Sequence, residues 1–82
     1  MTSEQLRALV LQELSTIAPE ADLAALNERD DLRSALDLDS MDVLRFANAL
    51  HDRLGVDIPE ADYKHITSVA GCVAYLEQHA AP

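Results

Sequence analysis

Apolar residues recur at helical spacing in three stretches of the chain, separated by segments without such a period. Leu6, Leu9, Val10, Leu14 and Ile17 share one face of a helix expected over residues 3–17. Thr2, with Gln5 three residues later, makes a capping box at its start, and Pro19 ends it by pushing the preceding residue out of the α region. Val43, Phe46, Ala47, Leu50 and Leu54 form a single stripe on a second helix, from Ser40 to about Leu54, with Gly55 placed to reverse the chain. Val56-Asp57-Ile58-Pro59 reads as an extended connector. Pro59 then pre-sets the backbone for a short third helix, Glu60 to about His65, with Ala61 and Tyr63 available to the interior. Thr67 or Ser68 caps a fourth helix, in which Val69, Cys72, Val73 and Leu76 form the buried stripe up to about Gln78. Gly71 is a mild weakener of that helix, and His79 to Pro82 are expected to fray. No strand alternation, repeat or composition break interrupts this pattern. The expected fold is all-α: a small four-helix bundle of three longer helices and one short one, forming a single domain over residues 1–82.

Between the first two helices lies the connection Ala18–Leu38, about twenty residues with no convincing long period. A loop of that length in a compact domain is either functional or holds a short helical turn. Leu23, Leu26, Leu32 and Leu36 are its expected anchors to the core, and between them six acidic residues face Arg29 and Arg33. The connection ends at Leu36-Asp37-Leu38-Asp39-Ser40-Met41-Asp42, where Asp39 reads as an N-cap and Asp42 stands where a capping box has its acidic partner. Ser40 therefore occupies the first helical position with its hydroxyl outside the core.

Size and charge narrow what such a chain can do. Eighty-two residues bury only about 60–65% of their unfolded surface, so a wide catalytic cleft would leave little core. The net charge of −9 disfavours binding to nucleic acid or membranes through basic patches. Glu4, Arg7, Gln12 and Glu13 break up the first apolar residues, so neither a signal-peptide core nor a membrane span is expected. Cys72 is the single cysteine, which fits a reducing, cytoplasmic setting.

Ser40 also has to be weighed as a nucleophile. A serine attacks when a base lies within hydrogen-bond reach, and His51, eleven residues along the same helix, is about 16 Å away at 1.5 Å per residue. His65 and His79 could approach only through tertiary folding. No G-x-S-x-G elbow is present. Asp37 and Asp39 begin like an EF-hand loop, but Met41, Asp42 and Asn48 stand at its fifth, sixth and twelfth positions, so that motif fails. With only Gly55 and Gly71 there is no glycine-rich phosphate loop. What remains is a serine at a helix start in an acidic helical domain without catalytic machinery.

Leu38-Asp39-Ser40-Met41-Asp42 and the helix it opens, Val56-Asp57-Ile58-Pro59-Glu60, and Ile66-Thr67-Ser68-Val69 resemble, in order and spacing, the acyl carrier proteins. The resemblance spans nearly the whole chain and is densest from Leu36 to Leu76. It implies that Ser40, next to Asp39, receives a 4′-phosphopantetheine arm from coenzyme A through a phosphopantetheinyl transferase. The arm's thiol would then carry an acyl group as a thioester to acyl-transferring or condensing enzymes, the carrier acting as a monomer and catalysing nothing itself. In the family the acyl chain enters between the second and third helices. The lining candidates here are Phe46, Leu50, Leu54, Ile58, Ala61, Tyr63, Ile66 and Val73.

Two departures bear on partner choice. Fatty-acid carriers usually have Gly two residues before the Asp of the Asp-Ser pair, where this chain has Asp37. They also have a strongly acidic second helix, whereas here Met41, Leu44, Arg45 and Asn48 follow the serine and Asp42 and Asp52 are balanced by Arg45 and Arg53. Steering toward a generic basic surface is then weak, and a dedicated carrier of a specialised lipid or polyketide-like pathway is expected. An aminoacyl carrier of the peptidyl or D-alanyl type and an unmodified helical interaction module are the alternatives.

Overall fold

A computed structural model describes residues 1–79. The second expected helix is the third in the chain, because the long connection contains a helical turn of its own. Helix α1 runs Ser3–Ile17, α2 is the single turn Leu32–Ala35, α3 runs Ser40–Leu54 and α4 runs Val69–His79. Two 3-10 segments, Leu23–Ala25 and Glu60–Ile66, complete the helical structure. The described residues contain no strand, and none of their helices is long and apolar enough to cross a membrane.

The local chemistry of each end is visible. Thr2 and Gln5 form the expected reciprocal capping box on α1. Gly55 closes α3 in the left-handed region at φ +68°, where its N–H donates to the His51 carbonyl at 2.7 Å. Of the two candidates for the cap of α4, Ser68 takes the role: its Oγ accepts from the Gly71 N–H at 3.0 Å, while Thr67 Oγ1 donates back to the Lys64 carbonyl.

Three apolar helix faces converge on one core. Leu6, Leu9, Val10 and Leu14 from α1 meet Phe46, Ala47 and Leu50 from α3, and Val69, Cys72, Tyr75 and Leu76 from α4. Leu32, Leu38, Val56 and Ile66 seal it from the connecting segments. Helix α1 packs most extensively on α4 and then on α3, whereas the 3-10 helix Glu60–Ile66 leans chiefly on α4 and only lightly on α3. The seam between α3 and that 3-10 helix is thus more loosely closed than the one the 3-10 helix makes with α4.

Several expectations need correction. The short third helix is 3-10 and not α, and Ala61 is exposed on it, turned away from the interior; Tyr63 is half-buried against the core. A seven-residue segment led by Pro59, with no side-chain cap, is held by its contacts more than by its own hydrogen bonding. His79 belongs to α4, and the rest of the expected frayed tail, residues 80–82, lies outside the described residues. Tyr75 was no part of the expected stripe of α4, yet its ring is buried while its hydroxyl donates to Asp62 Oδ2 at 2.8 Å, tying the 3-10 helix to α4.

Candidate functional site

The site is built by three consecutive terminations that leave the chain little freedom around Ser40. Asp31 caps α2 by accepting from the Arg33 N–H at 3.2 Å, and the Leu32 N–H, an orphan of that first turn, donates across to the Thr67 carbonyl at 2.8 Å. Asp37 then takes the left-handed conformation, φ +54°, and the Leu38 N–H returns to the Arg33 carbonyl at 2.9 Å, the six-to-one bond of a Schellman stop. Leu38 plugs into the core, which delivers Asp39 to the start of α3.

Asp39 and Asp42 form the expected box, the Asp42 N–H donating to Asp39 Oδ1 at 2.8 Å and the Asp39 N–H to Asp42 Oδ2 at 3.2 Å. Asp42 is also 3.8 Å from the Arg45 guanidinium. Ser40 is the first residue of α3 and is exposed. It opens onto a cavity of about 660 Å³ at the loose seam between α3 and the 3-10 helix. Met41, Val43, Leu44 and Tyr63 give that cavity its apolar walls. Arg33, Lys64 and Thr67, together with Asp31 and Glu60, give it a polar edge.

The structure disperses the candidate lining residues. Phe46, Leu50 and Ile66 are core residues, and Leu54, Ile58 and Val73 are half-buried against that core. Only Tyr63 among the eight reaches the cavity at Ser40; Ile58 borders a separate depression with Asn48 and His51, and Val73 another beside Arg7. Of the expected recognition residues, Met41 (55% exposed) and Leu44 (37%) are the large apolar side chains open to solvent on α3, and Arg45 and Asn48 are exposed alongside them.

Val43 and Leu44 were not foreseen as walls, although they lie three and four residues after Ser40 and so share its side of the helix. Lys64, Thr67 and Arg33 carried no such signal, because the docking of a 3-10 helix and a one-turn helix beside Ser40 is set by tertiary packing.

No histidine lines this cavity. His51 lies at the far end of α3 with its Nδ1 3.2 Å from both the Val56 carbonyl and Asp57 Oδ1. His65 and His79 each stack with Tyr75, at ring-centroid distances of 6.0 and 4.2 Å. Burial and the hydrogen bond to Asp62 push the Tyr75 phenol up to about 12. Burial alone pushes the Cys72 thiol up to about 12, so it stays protonated and unreactive.

The residues around Ser40 fit a phosphopantetheine group: an exposed hydroxyl to receive it, helix-start N–H groups and two cations beside a phosphate, and apolar walls beside the arm. Comparison with known proteins points the same way. A family model described as the phosphopantetheine attachment site matches residues 4–76. The acyl carrier protein of Helicobacter hepaticus is 32% identical over 76 residues, 93% of each chain. That of Campylobacter hominis is 31% identical over 74 residues, 90% of this chain and 87% of its own. That of Lactobacillus acidophilus is 32% identical over 60 residues, 73% and 75% of the two chains. With a family match running through all three long helices and relatives aligned over most of their length, the chain belongs to the phosphopantetheine-binding acyl carrier proteins, which carry acyl groups and are not enzymes.

Proposed function

We propose that Ser40 is the attachment point of the phosphopantetheine arm and that this carrier serves a dedicated set of enzymes in a specialised lipid or polyketide-like pathway. The observation that supports the attachment is the placement of one exposed serine hydroxyl at the capped start of α3, at the mouth of the cavity on the α3 seam. Once attached, the arm supplies a thiol for thioester formation. Asp39 holds the helix start in shape, and Met41, Val43, Leu44 and Tyr63 give the arm and the beginning of its cargo an apolar wall. A longer acyl chain would have to part the seam toward Phe46, Leu50 and Ile66, the movable side being the 3-10 helix.

A phosphopantetheinyl transferase loads the arm, and acyl-transferring or condensing enzymes use it, the carrier acting as one domain and as a monomer in the cytoplasm. The dedicated character rests on the face beside Ser40: Met41 and Leu44 are exposed, and Arg45 stands 71% open to solvent where an acidic helix would carry negative charge. Mass analysis of the Ser40 peptide from protein purified from its native host should find an acyl thioester on the arm; an aminoacyl group there, or an unmodified peptide, would overturn the reading. Housekeeping ketoacyl synthases should use the loaded protein poorly beside an acidic-helix carrier, and equal use would refute the dedicated role.

A further inference from the structure

We propose that Arg33 and Lys64 form a cation pair that holds the phosphodiester of the arm against the start of α3, an inference that rests on Ser40 being the attachment point. Transfer of phosphopantetheine from coenzyme A forms the Ser40 Oγ–P bond as the pyrophosphate P–O bond breaks, releasing adenosine 3′,5′-bisphosphate and the hydroxyl proton, so whatever the cargo, the anion lies at the mouth of this cavity. The acids are already there: Asp39 and Asp42 flank Ser40 in the capping box, and Asp31 and Glu60 edge the cavity. A phosphodiester set among four carboxylates is repelled by all of them, and the exposed amides of one helix turn do not offset that.

Arg33 on α2 and Lys64 on the 3-10 helix line the same cavity as Ser40. In a chain with only six Lys and Arg residues, the ion pairs among the described residues engage Arg7, Arg45 and Arg53 and leave these two side chains unpaired. The Leu32 N–H bond to the Thr67 carbonyl ties the start of α2 to the end of the 3-10 helix, so the backbone that carries the two cations is held together beside the cavity. A guanidinium can take two phosphate oxygens and an ammonium a third. The pair would also close the seam over the arm, since Lys64 belongs to its movable side.

The test compares the effect of loading on stability in three chains: wild type, the doubly neutralised R33Q/K64Q, and the charge-conserving R33K/K64R. Each is converted with coenzyme A and a promiscuous transferase, loading is checked by intact mass, and thermal midpoints of apo and loaded forms are measured at low salt and at about 0.5 M salt. Loading should leave the wild-type midpoint level or higher and lower that of R33Q/K64Q by about 2–4 °C at low salt, with the difference fading at high salt. R33K/K64R should behave as wild type, and the ³¹P resonance of the loaded wild type should differ from that of R33Q/K64Q. If all three load but show the same change on loading and the same ³¹P shift, the cation pair has no such role and the carrier reading stands. If wild type gains no mass, both fall.

Discussion

Asp37 is the residue at which sequence and backbone disagree most. It was noted as a departure, standing where carriers of fatty-acid synthesis usually have glycine, and its φ of +54° gives the reason glycine suits that place. A left-handed residue is needed to stop α2 and aim Leu38 inward, and a side chain makes that conformation cost roughly 1 kcal/mol, less for Asp than for most. Asp37→Gly should therefore raise the thermal midpoint by a few degrees, and Asp37→Val should lower it by more, because a β-branched residue is poorly tolerated at positive φ. Cys72 makes a second prediction. Its folded pKa of about 12 lies above the ordinary 9.0, so between those values the folded chain holds a proton that the unfolded chain releases. The contribution of this thiol to stability is thus fully present below about pH 9 and lost as pH rises toward 12. Cys72→Ala should flatten part of that alkaline decline in denaturant titrations, and the native thiol should resist thiol reagents until the chain unfolds.

Among the elements, the 3-10 helix Glu60–Ile66 contributes Glu60, Tyr63 and Lys64 to the cavity, and its anchors were the least legible features. Helices α1 and α3 could be read with their caps because each is long, amphipathic and opened by a polar side chain that closes its own box: Thr2 with Gln5, Asp39 with Asp42. Such signals are local, within three or four residues. The anchors of the 3-10 helix are Tyr75 to Asp62 and the close passage of Gly71 beneath the His65 carbonyl, and those join residues whose approach depends on how α4 packs. Ala61 was misplaced for the same reason, since a 3-10 segment turns at three residues and presents a different face than an α-helix would. Gly71, readable only as a weak spot in α4, is a point of close approach: a Cβ there would sit 2.9 Å from the His65 carbonyl oxygen, a backbone atom that cannot swing aside. Gly71→Ala, normally a gain in a helix, should instead destabilise the chain by about 1–3 kcal/mol. Amide exchange should also rise across residues 60–66 more than across α1; uniform exchange, or a stabilised variant, would contradict this packing.

At the scale of the whole molecule, the three long helices share one core, and the 3-10 helix lies more lightly on α3 than on α4, with Ser40 at the mouth of the cavity between them. The acidic total of −9 is unevenly deployed: many acids serve as caps, and the cations not held in ion pairs include the two beside Ser40. The capped helix start that exposes Ser40 was legible from Leu38-Asp39-Ser40-Met41-Asp42. The cavity was not, because its walls come from α2, α3 and the 3-10 helix, which only tertiary packing brings together. The central claim is that Ser40 is an attachment point and not a reagent, and the intact mass after incubation of the apo-protein with coenzyme A and a promiscuous phosphopantetheinyl transferase tests it most directly. Wild type should gain the mass of one phosphopantetheine and Ser40→Ala none; no gain in wild type, or an equal gain in Ser40→Ala, would contradict the account.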